Sequence, residues 1–464
     1  MSRLKAGLRG TSGGRRHIVG LSEISRRLAA GETSSVILVE KALAQAAATK
    51  HVFISLRREE ALNEARVSDD RRSNGHSLGP LDGIPIAVKD LIDMQGLRTT
   101  AGSCTRLTVA PALRDAPVVA AVKRQGLIAI GKTNLSEFAF SGLGLNPSFG
   151  TPTASYIKGE ARAPGGSSSG SAIAVERDVV SAAIGTDTAG SIRVPSAFNG
   201  LVGFRASTNR YLMSGVHPLA ATFDTLGPIA RSVSDCAWMD LAMRDRGRLT
   251  LTPPSMAKVR LVVDAAMLED GDVEPAVRDN LMHMMESLAS RGAKVSYKSV
   301  GVVSEARKVI SDLGWLGAYE AWQLLGDIVN GHSSALVDRR VSARLRAASL
   351  MSEQQAEKII TARRDLMAPL SLALDGALLV LPTVKHVAPK LKELEADDDY
   401  FAALNLQTLS ITMIGSLLDM PGLALPSGYD DEGLATSVLI SATHGKDDAL
   451  LASGLAIEHA LVNS

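Results

Sequence analysis

Apolar positions in this chain alternate between short strand-length runs and helical stripes, and that alternation predicts an α/β fold. Residues 84–88 (IPIAV) follow an Asp82-Gly83 turn and read as a buried strand ending at Lys89. Val118, Val119 and Val122 share one face of a helix that Pro117 opens behind a capping Asp115, and Gly126 closes it. Residues 127–130 then read as the next strand. Upstream, 22–30 reads as a helix with a serine cap and a closing Gly31, and Ser34 to Ala48 as an Ala-rich helix. The charged stretch 57–76 predicts a solvated helix and a loop.

Beyond residue 250 the pattern weakens to helices, clearest over 274–290 and 303–328, with a charged stretch at 338–365. LLVLPT at 378–383 reads as a strand, and the acidic run 397–399 reads with the other charge runs as a solvated face. No repeat is visible, and the one candidate linker is LTPPS at 251–255. The organisation expected is a basic tail over 1–17 followed by one large domain over 18–464.

Composition narrows the classes without choosing one. The chain has 464 residues, 45% of them hydrophobic and 21% charged, enough apolar material for a large core. Aromatics supply only 4% against 41 glycines, so packing is expected to rest on Ala, Val, Leu and close backbone contacts. A net charge of +1 argues neither for nucleic acid nor for an acidic partner. Cys104 and Cys236 fit neither a disulfide framework nor a zinc site and read as buried small hydrophobes. No apolar run has the length of a membrane span, and the first 17 residues carry no secretory apolar segment. The compartment expected is the cytoplasm.

The chemistry gathers in residues 164–195. Small-residue loops at 164–171 and 185–191 flank an apolar segment, 179–184, that reads as a buried strand. Glycines let backbone N–H groups approach and cradle an anion, so the serines between them are either linker filler or nucleophiles beside an oxyanion hole. A linker has no reason to lie between core strands. Two motif matches fail on context. Residues 126–133 (GLIAIGKT) fit a phosphate loop, but the middle four are strand formers. GSSSG at 166–170 fits a nucleophile elbow at Ser168, yet no buried strand precedes it and no histidine stands out as a partner.

Lys89, PGGSSSGSA at 164–172 and GTDTAGSIRVP at 185–195 together resemble the amidase signature family of serine hydrolases. TTAGS at 99–103, GKTNLSEFA at 131–139 and FDTLGPIARSVSD at 223–235 add to the likeness, with weaker support from LPT at 381–383 and DMPGLALPSG at 419–428. The similarity covers about residues 80–240, and the 24-residue interval between Ser167 and Ser191 matches the family's spacing. The resemblance implies one large α/β domain, its mixed central sheet flanked by helices on both sides. It implies Ser191 as nucleophile, Ser167 as a bridging serine in a cis peptide, and Lys89 as base. The backbone amides of Thr188, Ala189, Gly190 and Ser191 would form the oxyanion hole, and Asp187 and Arg193 would fix the loop. It also implies hydrolysis of a small-molecule amide through a serine acyl-enzyme, with no metal or organic cofactor, no nucleic-acid or membrane partner, and a homodimer as the assembly. The related readings are the glutaminase subunit of a tRNA-dependent amidotransferase, a general serine esterase, or an inactive scaffold. The chain departs from the family at Ala189, where Gly is usual, at 204–206 (FRA for Leu-Lys-Pro), and near 153–155, where Asn-Pro is missing.

Amide hydrolysis sets demands these residues meet. A serine hydroxyl needs a base, and a lysine is one only when neutral, although a free lysine titrates near about 10.4. Lowering it to about 7.4 costs roughly 4 kcal/mol, which burial behind 84–88 can supply. Ser167, both donor and acceptor, then relays the proton between Ser191 and Lys89. Each oxyanion donor is worth about 2.7–4 kcal/mol at comparable sites. The resemblance implies a substrate pocket lined by loops outside the core motifs, here 140–147, 211–217 and the region after 300. Trp315, Tyr319 and Trp322, at helical spacing, line it or pack in the core.

Overall fold

The computed structural model describes residues 20–154, 160–246 and 251–462, so the basic tail expected at 1–17 and part of the 153–155 departure lie outside the described residues. The strands are β1 (Phe53–Leu56), β2 (Pro85–Lys89), β3 (Ile128–Thr133), β4 (Ala182–Asp187), β5 (Val202–Arg205), β6 (Thr225–Ala230), β7 (Arg260–Asp264), β8 (Lys294–Lys298), β9 (Leu378–Pro382), β10 (Gly422–Tyr429) and β11 (Ala435–Ser441). They form one sheet in the order β1-β3-β2-β4-β6-β5-β10-β11-β9-β7-β8. It is mixed: β2 runs parallel to β3 and β4, and β7 to β8 and β9, while β4–β6 and β5–β10–β11–β9 pair antiparallel. The expected single α/β domain with a mixed sheet is therefore what the chain forms. β7, which follows 251–255, pairs with β9 of the same sheet, so that stretch does not divide domains.

Both faces of the sheet are covered. On β2, Ile86 and Val88 pack into a core with the helices Pro117–Arg124 and Val233–Met243, while Ala87 faces a second core with the helix Ser169–Glu176. Such double burial explains why β2, β3 and β4 read as continuous apolar runs rather than alternations. β7, β8, β10 and β11 lie beyond residue 250, where the pattern weakens to helices: β8 is largely exposed, β10 and β11 are near neighbours that pair with each other, and β7 pairs with the distant β9.

Several local expectations shift. The first helix is Leu21–Ala29, with no side-chain cap; the amide of Leu21 donates instead to Asp235 Oδ1 at 2.8 Å. Asp115 does not cap Pro117–Arg124 either, because it accepts from the Gln95 amide and Lys123 Nζ, both at 2.8 Å. The second helix is Ser35–Ala48, so Ser34 lies outside it as the cap and accepts from the Ile37 amide. The helix expected over 303–328 is two, Gly301–Leu313 and Leu316–Asn330, broken at Gly314, whose φ of +91° suits glycine. The acidic run 397–399 is exposed, as expected, and Asp397 also caps the helix Asp398–Leu417, accepting from the Asp399 and Tyr400 amides. Cys236 is buried as expected, but Cys104 is only partly so.

Candidate active site

The site forms where the parallel strands β2 and β4 end side by side, the edge at which α/β sheets present functional groups. Lys89 is the last residue of β2, on the face that Ala87 shares with the helix Ser169–Glu176. It is buried, with Nζ 2.7 Å from Ser167 Oγ and 2.8 Å from Thr186 Oγ1. Burial lowers its pKa to about 7, with the charges of Asp187 and Asp224 holding it up against a larger fall. A lysine after a strand is not a solvated end here.

The apolar run before Ser191 folds differently from its first reading. Ser169–Ser171 belong to the helix Ser169–Glu176 rather than to the loop, and the strand begins at Ala182, not 179, and continues through Gly185-Thr186-Asp187. The reason lies in β6: Gly185 faces Gly227, Thr186 faces Leu226 and Asp187 faces Thr225, a ladder the sequence around 185 does not announce. Ser167 precedes the helix, in a cis Gly166–Ser167 peptide. The amide of Ser168 donates to the Ser191 carbonyl at 3.2 Å and so ties the two loops together. Ser168 itself is buried and donates through Oγ to the Thr186 carbonyl at 3.3 Å, which fits no elbow role.

The turn after β4 is held from below. Asp187 is buried between Arg193, at 2.8 Å, and Arg205, at 3.3 Å, and accepts from the Ile192 amide. Burial opposes its charge, but the two guanidinium groups prevail and hold its carboxyl well below the usual range. Arg205 stands where the family usually has lysine, and its second arm of contact, to the Asp187 carbonyl at 2.7 Å, spans strand end and loop. Gly190 has φ +144°, and a Cβ there would meet Thr412 Oγ1 at 2.3 Å. Ala189 has no positive φ, so its methyl is accommodated without backbone strain. Thr412 donates to the Ala189 carbonyl at 2.6 Å. Thr188 donates to Asp224, whose other oxygen accepts from the Leu219 and Ala220 amides. Among the described residues, the amides of Thr188, Ala189, Gly190 and Ser191 donate to no protein acceptor.

Ser191 opens onto a cavity of about 400 Å³. Its walls are Thr188 and Ala189 beside the serine, Phe140 and Ser141 from the expected 140–147 segment, and Trp315, Ala318, Arg344, Leu409 and Met413 from beyond residue 300. The 211–217 segment does not contribute; Leu219, two residues later, does. The aromatic trio separates. Trp315 lies in the break before Leu316–Asn330, stacks on Phe223 at 4.5 Å and faces the cavity, whereas Tyr319 and Trp322 pack against apolar clusters. Thr186, Asp224 and Thr412 carry no role in the sequence reading, and Arg205 enters it only within the departure at 204–206. Asp224 lies inside a quoted motif and Thr186 one step from Asp187, whereas Thr412 and Arg344 carry no local signal. The phosphate-loop match is strand β3, with Lys132 paired to Asp90 at 2.7 Å and both buried. Among the described residues, no cluster of His, Cys, Asp and Glu could hold a metal.

Comparison with known proteins places the chain in a family. The Amidase family model matches residues 38–451. The chain is 32% identical over 402 residues to 2-amino-5-chloromuconic acid deaminase of Comamonas testosteroni, covering 86% of each chain. It is 30% identical to mandelamide hydrolase of Pseudomonas putida, covering 89% of this chain and 85% of that one. The crystal structure of peptide amidase from Stenotrophomonas maltophilia superposes with a TM-score of 0.74 at 26% identity, over 95% of this chain and 96% of that one. Fold and relatives define an amidohydrolase, an enzyme acting on carbon–nitrogen bonds. The chain belongs to the Amidase family.

Proposed function

We propose that Ser191, Ser167 and Lys89 hydrolyse a small carboxylic acid amide with an apolar acyl group. The observation that carries this reading is the buried Lys89 amine, 2.7 Å from Ser167 Oγ, beside a cavity floored by Ser191. Neutral Lys89 accepts a proton through Ser167 as Ser191 Oγ attacks the amide carbonyl. The amides of Thr188, Ala189, Gly190 and Ser191 stabilise the oxyanion, and Asp187 with Arg193 and Arg205 keeps their turn in shape. The relay run backwards protonates the leaving amine or ammonia, and water then releases the acid from the acyl-enzyme. The residues supply every proton and charge this sequence needs, so no cofactor enters it.

The cavity walls support an apolar amide over glutamine. Among the described residues no carboxylate lines the cavity, so an α-ammonium group would find no partner there. We therefore assign the reaction to this chain alone or as a homodimer, in the cytoplasm, without an amidotransferase partner. The test is covalent labelling with a fluorophosphonate and peptide mapping, together with turnover of simple amides by the purified chain. A tag on Ser191 that slows sharply in Lys89→Ala supports the reading. A tag on Ser168, or no turnover without an added subunit, overturns it.

A further inference from the structure

Arg344 stands in the wall of the cavity that opens on Ser191. It projects from the helix Arg339–Ala348, with its guanidinium 4.5 Å from the centre of the Phe140 ring and one N–H donated to the Phe140 carbonyl. That single bond leaves most of its five donors without a protein acceptor. The nearby acids are committed elsewhere. Asp338 pairs with Arg340 at 2.8 Å, Asp398 with Arg339 at 2.6 Å, and Glu137 accepts from Ser103 and the Asp338 amide. Among the described residues no carboxylate pairs with Arg344. Burial lowers its pKa to about 10, which leaves it charged at neutral pH.

A cation against apolar walls is unfavourable unless something of opposite charge meets it. Trp315, Leu219, Leu409 and Met413 form those walls, and none offers a charge. We infer that the substrate carries a carboxylate on its apolar body, held by Arg344 while the amide carbonyl sits at Ser191. A guanidinium matches a carboxylate in a planar two-bond pairing, and one unpaired arginine balances one negative charge. With no acid in the walls, an accompanying ammonium group is not recognised. The substrate class is thus the half-amide of an apolar dicarboxylic acid. Its hydrolysis consumes one water and yields the dicarboxylate and ammonia, or an amine.

This inference rests on the amidase reading of Ser191, so binding and turnover are measured separately. Binding is read by calorimetry on the Ser191→Ala protein with two matched pairs of probes: terephthalamate with para-nitrobenzamide, and adipamate with hexanamide. The expected result is that the anionic member of at least one pair binds tenfold or more tightly than its neutral partner. Arg344→Gln in the same background should bring that ratio close to unity, and Arg344→Lys should restore part of it. Equal binding of both members in both pairs overturns the inference without reference to any variant. So does a preference that survives Arg344→Gln. Turnover by the wild-type chain tests the amidase reading alone: selective binding without hydrolysis would overturn that reading and leave the anion site standing.

Discussion

Thr186 Oγ1 accepts a hydrogen bond from Lys89 Nζ at 2.8 Å, and Ser167 Oγ lies 2.7 Å from the same amine. A neutral amine has two N–H donors and one lone pair. With one donor directed to Thr186, the lone pair is free to face the Ser167 hydroxyl, as a proton relay requires. Thr186→Val should lower kcat/KM about tenfold, in line with ~1.4 kcal/mol for a buried hydrogen bond, with KM little changed. Thr186→Ser should restore most of it. A steady-state comparison of the three proteins decides whether Thr186 orients the amine or only packs beside it.

Activity should follow the ionisation of Lys89. With its pKa lowered to about 7, kcat/KM rises with pH through an acid limb near that value as the amine loses its proton. A pH–rate profile with a limb displaced to the range of a free lysine would remove Lys89 from the role of base.

The same shift makes a stability prediction with a fixed sign. Between pH 7 and the ordinary lysine value the unfolded chain holds a proton at Lys89 that the folded chain does not, so this group's contribution to stability increases with pH across that window. Lys89→Met removes that dependence. The wild-type protein should therefore gain stability relative to Lys89→Met as pH is raised from 7 to 10, by at most about 1.36 kcal/mol per unit. Parallel urea unfolding curves at several pH values measure the difference.

Asp187 is the counter-charge for two buried guanidinium groups. Asp187→Asn leaves Arg193 and Arg205 without it and should destabilise the fold by about 3–5 kcal/mol, with activity lost as the turn below Gly190 relaxes. Because its carboxyl is held below the usual range, the stability that Asp187 confers is present above the ordinary carboxylate pKa and disappears as pH falls through the lowered one. Denaturant titration of both proteins at neutral and acid pH checks the size and the direction.

Much of the candidate site was legible before the fold. Lys89 ends an apolar strand, the Ser167 and Ser191 loops are rich in small residues, and the motif order tied them together. Their proximity is a matter of strand pairing: β2 and β4 lie parallel and end together, which brings Lys89 to Thr186 across 97 positions in the sequence. The strand was misplaced at 179 because local apolarity marks a core segment without marking its register. Antiparallel pairing with β6, glycine against glycine, carried the strand three residues further. The Ser22 and Asp115 caps failed because Asp235 takes the Leu21 amide, and because the Gln95 amide and Lys123 engage the Asp115 carboxylate.

The sequence by itself determined the candidates: through the order and spacing of motifs that resemble the amidase signature family it pointed to Ser191, Ser167 and Lys89, and to Asp187 and Arg193 as the pair that braces the turn. Motif order and spacing are properties of the chain and need no fold to be read. Tertiary structure alone decided the environment. Whether Lys89 is buried and weakly basic, which side chains wall the cavity, and why Arg344 faces it without a carboxylate all depend on segments hundreds of residues apart meeting across one sheet. Burial and charge pairing are properties of that meeting, since the dielectric and the partners around a group belong to the packed molecule rather than to its neighbours in the chain.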